Sequence, residues 1–215
     1  MYHPPSVLPW IALTCAALAG LLVAEWRGSH RGIYLCKPLA SAGFLAAAAA
    51  SGALGSVYGR MILAGLLLSW LGDFFLISDQ PSSFLAGLGC FLMAHVAYGA
   101  AFAWRGQALP WTAAALALLT VVAWRISRWL DPHLPASLRF PVHLYMAVIT
   151  GMLTLAAGTL AAGSARIILA GAFAFYLSDL SVARDRFVRP SVVNKLWGLP
   201  LYYAAQLCLA ASIRA

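Results

Sequence analysis

Eight apolar segments dominate this 215-residue chain, and they limit its possible folds more than any other feature. The predicted spans are residues 7–24, 38–54, 58–77, 83–103, 108–124, 141–161, 165–183 and 192–213. Each is close to the ~20 residues that an α-helix needs to cross the hydrocarbon core of a bilayer. Because a helix satisfies its own backbone hydrogen bonds, it suits an environment without water. The sequence therefore predicts an all-α integral membrane protein, a compact bundle of about eight transmembrane helices.

The composition fits a membrane location. Hydrophobic residues make up 63% of the chain and charged residues only 9%, whereas soluble domains carry ~25% charged residues. The formal net charge of +8 reflects a scarcity of acids, because the cations stand singly near the ends of the apolar segments. The sequence has no basic face with interleaved aromatic residues, which argues against a nucleic-acid partner. The breaks between spans are short, so residues 1–215 are predicted to form a single polytopic membrane domain.

The basic residues predict the orientation of the bundle. Ten Lys and Arg residues, counting Lys37, follow spans 1, 3, 5 and 7, and four lie on the opposite side. The positive-inside rule places the ten in the cytoplasm and both the N- and C-termini outside. The abundance of Ala, Leu and Arg suggests a bacterial inner membrane.

Two aspartates near the ends of apolar spans are the main functional signal. Asp73 lies in SWLGDFFLIS and Asp179 in FAFYLSDLSV, each after a triplet of a bulky residue, Leu and a small residue. A carboxylate inside a bilayer costs ~2.5–3.5 kcal/mol on insertion scales, and its presence therefore indicates function. Spans 3 and 7 run in the same direction, so both acids are predicted ~6–9 Å below the cytoplasmic surface. The sequence predicts a catalytic pair there, and the matched positions suggest a parallel duplication of spans 1–4 and 5–8.

These charged residues also have explanations that need no catalytic role. Either aspartate could sit at a fraying helix end and reach the headgroups, and Arg184 and Arg186 are possible partners for Asp179. Lys37 precedes a proline at the predicted start of span 2. It would either snorkel to a lipid phosphate, or pair with an aspartate or a substrate phosphate.

Other polar residues share helix faces in the predicted spans. His95 and Tyr98 are three residues apart on span 4, with His95 ~18 Å from the start of the span and past the bilayer centre. Tyr202 and Gln206 are four residues apart on span 8, and Tyr145 lies near the start of span 6. Each could line a cavity or simply make hydrogen bonds between helices.

The remaining acids are predicted to lie at the interface or in loops. Glu25 is expected to pair with Arg27 or Arg31, and Asn194 is expected to start a helix. Solvated loops are expected to hold the other aspartates, Asp79, Asp131 and Asp185.

The sequence favours neither a metal site nor a serine hydrolase. A metal site needs three or four converging ligands, and only His95, His143 and the two aspartates could contribute. Neither H-x-x-x-H nor H-x-x-E-H occurs. The chain also lacks G-x-S-x-G and an evident Ser/His/Asp set at one depth. No metal and no cofactor are therefore expected.

Five motifs together resemble the lysoplasmalogenase (YhhN-like) family of multi-pass membrane proteins. They are CKPLA, SWLGDFFLI, FLAGLGCFLMAHVAYGAAF, GAFAFYLSDLSVARDRF and LYYAAQLCL, which cover spans 2–4, 7 and 8 in order. The stretch from Gly72-Asp73 to the H-x-x-Y of His95 and Tyr98 is the most specific of them. Some members of the family lack the second acid, whereas this chain retains both.

The resemblance implies hydrolysis of the vinyl ether bond of lysoplasmalogens, which are alkenyl-glycerophosphocholines and -ethanolamines. The products are a fatty aldehyde and a glycerophospho-alcohol. Protonation of the vinyl ether β-carbon gives an oxocarbenium ion, water adds, and the hemiacetal collapses. Glycosidases handle a related cation with two carboxyl groups. The resemblance therefore implies that Asp73 and Asp179 are the catalytic acid and base, in an order left open.

The same resemblance implies roles for the surrounding polar residues. Lys37 would bind the substrate phosphate or keep one aspartate ionised. The residues expected to complete the substrate-binding cavity are His95, Tyr98, Tyr145, Tyr202 and Gln206.

The expected partners are a lysophospholipid substrate and membrane lipid, with the oligomeric state left open. The substrate would need a mostly apolar tunnel, open to the bilayer, with a polar end near the cytoplasmic leaflet. Three alternatives stay open. Buried acids with Lys and His also build proton-coupled transporters and flippases, although few mid-span prolines are present to break helices. The others are a metal-dependent membrane lipid hydrolase and a non-enzymatic scaffold.

Overall fold

A computed structural model describes residues 6–161 and 165–215; the predicted break between spans 6 and 7 falls partly on residues 162–164, outside the described residues. The described chain is helical and contains no strand. Eight of its helices are long and apolar enough to cross a membrane, which confirms the all-α multi-pass prediction. They are α1 (Leu8–Arg27), α2 (His30–Ala50), α3 (Val57–Phe75), α4 (Pro81–Trp104), α5 (Leu109–Leu130), α6 (Ala136–Gly158), α7 (Ala165–Ala183) and α8 (Val192–Ala211).

The helices form one bundle with a shared apolar core. Sequential neighbours pack as antiparallel pairs, α1 with α2, α3 with α4, α5 with α6 and α7 with α8. Helix α8 also contacts α1, α2 and α3, and α6 bridges α4 and α7. Helix α5 packs chiefly on α6 and buries only Leu130. The parallel duplication of spans 1–4 and 5–8 stays a prediction.

The predicted boundaries were wrong for spans 2, 5 and 6. Helix α2 starts at His30, where the Ser29 hydroxyl caps it by accepting the Gly32 N–H. Helix α5 continues to Leu130, and α6 starts at Ala136. Hydropathy detects only the apolar part of a helix, whereas the amphipathic ends at the interface are helical too. Two prolines read as span starts, Pro38 and Pro141, in fact lie inside helices.

The corrected start of α2 moves Lys37 away from the membrane boundary. Lys37 lies about two turns inside α2, and its side chain is only 10% exposed. Since an ammonium this deep must find a partner inside the protein, snorkelling to a lipid phosphate no longer accounts for it.

The expected partner of Glu25 was also wrong. Glu25 pairs with Lys195 rather than with Arg27 or Arg31, because the end of α1 packs against the start of α8. The side chain of Asp131 is 43% exposed, and its carboxylate lies 3.0 Å from His143 Nε2.

The turn between α7 and α8 holds the other charged residues for which partners were expected. After α7 the chain continues as a π-helical turn, Arg184–Val188. Asp185 in this turn accepts hydrogen bonds from the Ser191 backbone N–H (2.8 Å) and Asn194 Nδ2 (3.0 Å). Asn194 is buried, and Ser191, not Asn194, caps α8. Arg184 donates to Asn194, so neither it nor Arg186, which stacks on an aromatic ring, pairs with Asp179.

Gly72 lets α3 and α4 approach closely beside Asp73. A Cβ atom at position 72 would lie 2.6 Å from the Phe91 ring of α4. Because the ring fills this space, the small residue before the aspartate fixes where Asp73 sits relative to α4.

We expect Gly72→Ala to destabilise the protein by about 1–3 kcal/mol, because the added methyl group must displace the Phe91 ring. Thermal unfolding of the purified protein in detergent measures the effect. Gly89→Ala is the matched control, since a Cβ there meets no atom within 4 Å. That variant should be neutral or gain up to ~1 kcal/mol, because alanine favours a helix more than glycine does. Equal unfolding temperatures for the two variants would contradict this packing.

Candidate active site

A cavity of about 250 Å³ lies between the helices, and every one of the eight contributes to its lining. Both predicted acids, Asp73 and Asp179, line it. Lys37, Tyr145 and Tyr202 line it as well. Between these polar groups the walls are apolar, formed among others by Leu76, Leu88, Phe91, Met146, Ile149 and Leu199. The arrangement is a mostly apolar pocket with a few convergent polar groups, which is typical of ligand sites.

Asp73 is held by three donors from two other helices. Its Oδ2 accepts hydrogen bonds from Ser41 Oγ and from Tyr202 OH, each at 2.6 Å. Its Oδ1 lies 3.6 Å from Lys37 Nζ. Hydroxyl donors and an ammonium both favour the charged form of a carboxyl group. These three donors therefore stabilise the charged form of Asp73.

Two residues of this cluster escaped the sequence analysis. Ser41 lies one turn after Lys37 on α2, and Tyr203 OH lies 3.3 Å from Ser41 Oγ. Tyr203 also donates to the Lys37 carbonyl oxygen, at 3.3 Å. The signal was present in the sequence, because Lys37 and Ser41 stand at the i, i+4 spacing of one helix face. The pair was missed because the predicted span 2 began at residue 38, which left Lys37 outside the helix.

Asp179 has a different set of neighbours. Its Oδ2 accepts a hydrogen bond from Tyr145 OH at 2.6 Å and lies 3.7 Å from His95 Nε2. The side chain of Asp179 is 19% exposed, whereas that of His95 is fully buried. The polar neighbours of this carboxyl group are thus a phenol and an imidazole rather than an ammonium.

The hydrogen bond of His95 assigns its tautomer. Nδ1 lies 2.6 Å from the Phe91 carbonyl oxygen, which can only accept a hydrogen bond. Nδ1 therefore carries the proton, and in the neutral ring Nε2 is an acceptor. Nε2 is buried without a hydrogen-bond partner and faces Asp179 Oδ2. An acceptor facing a carboxyl oxygen is satisfied only if that carboxyl is protonated or a water lies between them.

Tyr98 and Gln206 are brought together, but outside the cavity lining. Tyr98 OH donates to Gln206 Oε1 at 2.8 Å and lies 3.3 Å from Ser69 Oγ. The Phe175 ring contacts Tyr98 and also Tyr202, with ring centroids 6.2 and 5.4 Å apart. Phe175 lies 4.5 Å from the His95 ring too, so it separates the two carboxyl clusters. Substrate contact by Tyr98 and Gln206 stays a prediction.

Both carboxyl clusters lie near the level of Phe91 on α4, because Gly72 packs on the Phe91 ring and His95 bonds to the Phe91 carbonyl. At ~1.5 Å per residue, this level is ~15 Å along α4 from its first residue. The depth of ~6–9 Å below the cytoplasmic surface stays a prediction. His95 reaches Asp179 because its side chain points back toward the start of α4.

Among residues 6–161 and 165–215, no group of three or more His, Cys, Asp and Glu side chains converges as a metal site would require. Within the same residues no hydrogen bond or ion pair links the two aspartates directly. They face one cavity from two separate clusters.

Curated proteins similar to this chain share one name. Lysoplasmalogenase TMEM86A of Bos taurus is 28% identical over 221 residues, which cover 97% of this chain and 88% of the relative. Lysoplasmalogenase TMEM86B of Homo sapiens is 30% identical over 213 residues, with 97% and 88% covered. A lysoplasmalogenase of Mycobacterium tuberculosis is 30% identical over 221 residues, with 89% and 82% covered. No solved structure matches the chain.

The family itself follows from a separate match. The model of the YhhN family matches residues 32–213, from the first turn of α2 to the end of α8. This range contains both aspartates and every residue described around them, and it confirms the resemblance inferred from the five motifs. The chain belongs to the YhhN family.

Proposed function

We propose that this protein hydrolyses the vinyl ether bond of lysoplasmalogens, releasing a fatty aldehyde and a glycerophospho-alcohol. The observation that carries the proposal is one mostly apolar cavity lined by two carboxyl groups with unlike partners, Asp73 buried and Asp179 19% exposed. The relatives named lysoplasmalogenase support the same substrate class. A cavity of about 250 Å³ holds the glycerol and the first carbons of such a lipid, and the rest of the tail would extend between helices into the bilayer.

In this proposal Asp179 is the proton donor. The acceptor nitrogen of His95 faces Asp179 Oδ2 and favours a proton on that carboxyl group. Asp179 gives this proton to the β-carbon of the vinyl ether, which leaves an oxocarbenium ion and the Asp179 carboxylate. His95 does not touch the substrate in this scheme and acts as a positioning residue.

Asp73 then acts as the carboxylate partner. Lys37, Ser41 and Tyr202 keep it ionised and oriented, so it stabilises the cation and takes a proton from the attacking water. The resulting hemiacetal collapses as its hydroxyl proton passes to the departing glycerol oxygen. Transfer of a proton from Asp73 back to Asp179 through solvent in the cavity restores the starting state.

The proposal also includes the orientation of the bundle in the membrane. The cavity lining comes from the ends of α1, α3, α5 and α7 and the starts of α4, α6 and α8, which is the side richer in Lys and Arg. The positive-inside rule makes this side cytoplasmic, with both termini outside, in a bacterial inner membrane.

The direct test is aldehyde release from a synthetic lysoplasmalogen by the purified protein in detergent, with EDTA in a parallel sample. Equal aldehyde release with and without EDTA is expected. A folded protein that releases none would refute the proposal and direct attention to transport. Release that disappears with EDTA would mean that a metal takes part.

Isotopic labelling tests the protonation step separately. When the reaction runs in D₂O, we expect the aldehyde to carry one deuterium at carbon 2, because the proton on Asp179 exchanges with solvent before it reaches the β-carbon. Immediate borohydride reduction and mass spectrometry of the alcohol measure the label. Authentic aldehyde incubated with the protein in D₂O is the control for later exchange. An unlabelled product would exclude protonation at carbon.

A further inference from the structure

The mouth of the cavity carries charges that the chemistry at Asp73 and Asp179 does not use. Three acidic and two basic residues line it, and we call these five the mouth residues: Glu25, Asp79, Asp185, Arg186 and Lys195. They come from the end of α1, the α3–α4 connection, the π-helical turn and the start of α8. An apolar lipid tail makes no charged contacts, so binding of the tail does not explain these five residues.

Glu25 and Lys195 form the centre of this group. Lys195 Nζ donates to Glu25 Oε2 at 2.7 Å. The Glu25 side chain is 11% exposed, whereas that of Lys195 is 41% exposed. An ammonium has three N–H donors and the bond to Glu25 uses one of them, so Lys195 can bind an anion without leaving its partner.

Arg186 and Asp185, two other mouth residues, also make contacts within the protein. Arg186 lies over the Phe84 ring, 4.6 Å from its centroid, and Phe84 stacks edge-on with Phe187 at 5.8 Å. Asp185 is tied to the start of α8 through Ser191 and Asn194. Four of the mouth residues, Glu25, Asp185, Arg186 and Lys195, are therefore held by contacts within the protein, as a binding site requires.

The spacing along α8 is comparable to the length of a lysophospholipid headgroup. Lys195 precedes Tyr202 by seven residues, so the two backbone positions lie ~10 Å apart along the helix, on the same face. Arg186 lies in the π-helical turn that follows α7 and also lines the cavity. Five bonds separate the vinyl ether oxygen from the phosphorus, and nine separate it from the amine nitrogen. At ~1.2 Å per bond in an extended chain, these distances are ~6 and ~11 Å.

We propose that the mouth residues form a subsite for a zwitterionic phosphate–amine headgroup, in which Lys195 binds the phosphate and Glu25 the amine. This inference rests on the proposed function and names the part of the substrate that gives it specificity. Arg186 adds positive charge near the phosphate, and Asp79 and Asp185 add negative charge near the amine. The excess of acids over cations disfavours headgroups that are only anionic.

A purely structural ion pair between α1 and α8 is the competing explanation, and a charge swap separates the two. The assay compares an alkenyl-glycerophosphoethanolamine with the matching alkenylglycerol, which lacks the headgroup, in phospholipid-free detergent. We expect the wild type to prefer the first roughly tenfold to a hundredfold in kcat/KM, the range of one or two charged hydrogen bonds. The difference should lie mainly in KM, because a headgroup far from the reacting carbon binds ground and transition states alike.

Lys195→Gln and Glu25→Gln should each lose most of this preference through a higher KM for the phospholipid, with kcat/KM for the alkenylglycerol retained. The double variant Glu25→Lys/Lys195→Glu restores the ion pair, and so the unfolding temperature, but places each charge on the wrong side of the headgroup. It should not regain the preference. Arg31→Gln is the matched control, because Arg31 is an exposed cation at the same end of the bundle.

Each outcome decides between the explanations. A charge swap that regains both stability and headgroup preference, or a preference unchanged in Lys195→Gln, would overturn the subsite. Equal wild-type kcat/KM for the two substrates would overturn it too while leaving the proposed hydrolysis intact. Failure of the folded wild type to cleave either substrate would overturn both proposals.

Discussion

Asp179→Asn is expected to lower kcat for aldehyde release by roughly 10²–10⁴-fold, the usual contribution of a general acid. The amide keeps the shape of the side chain and can still accept the hydrogen bond from Tyr145, but it has no proton to give to carbon. The variant should therefore fold and still bind the substrate. Steady-state aldehyde release in detergent, together with the unfolding temperature, measures both properties.

Asp131→Asn is the control for this variant. Asp131 lies at the same end of the bundle and also has an imidazole partner, His143, but its side chain is 43% exposed and it is outside the cavity lining. Its loss should leave turnover near that of the wild type. A folded Asp179→Asn variant that retains more than about a tenth of wild-type turnover would exclude Asp179 as the acid.

Asp73→Asn is expected to reduce both turnover and stability. Loss of the carboxylate that stabilises the cation should lower kcat by roughly 10²–10³-fold. The variant also leaves the Lys37 ammonium buried without a counter-charge, which typically costs about 3–5 kcal/mol. Low activity alone could therefore reflect poor folding, so a second change is needed.

The double variant Asp73→Asn/Lys37→Met separates these effects. Removing the ammonium should restore much of the lost stability, since an apolar pair is tolerated in a buried site. Turnover should stay low, because the carboxylate is still missing. Thermal unfolding and aldehyde release of the single and double variants give the comparison. Recovery of turnover in the double variant would reduce Asp73 to a structural partner of Lys37.

Much of the fold could be predicted because hydropathy alone identifies segments that must cross a bilayer. All eight helices were predicted in this way. The errors were in the boundaries of spans 2, 5 and 6, where the helix ends are less apolar than the centre and hydropathy changes little. Pro38 and Pro141 were taken as starts of spans, although a helix tolerates an interior proline when its neighbours support it. Placing Lys37 at a boundary was a direct consequence.

The candidate site was less accessible from sequence because its contacts join distant helices. The acids and their tyrosines could be named from residue type and helix face, whereas their pairing could not. Nothing near Glu25 in the sequence indicates Lys195, because this pair depends on how α1 packs against α8. The contact of His95 with Asp179 depends in the same way on how α4 packs near α7 and on side-chain direction, which hydropathy does not report.

Helix α5 has a consequence for how a lipid substrate would reach the cavity. It packs chiefly on α6 and turns large apolar side chains outward along most of its length, yet Ile126 and Leu130 near its end form part of the cavity wall. Helix α5 therefore lies between this part of the cavity and the acyl chains of the leaflet. We expect a lipid substrate to arrive by lateral diffusion, so that its mole fraction in the leaflet, rather than its bulk concentration, sets how often the site is filled.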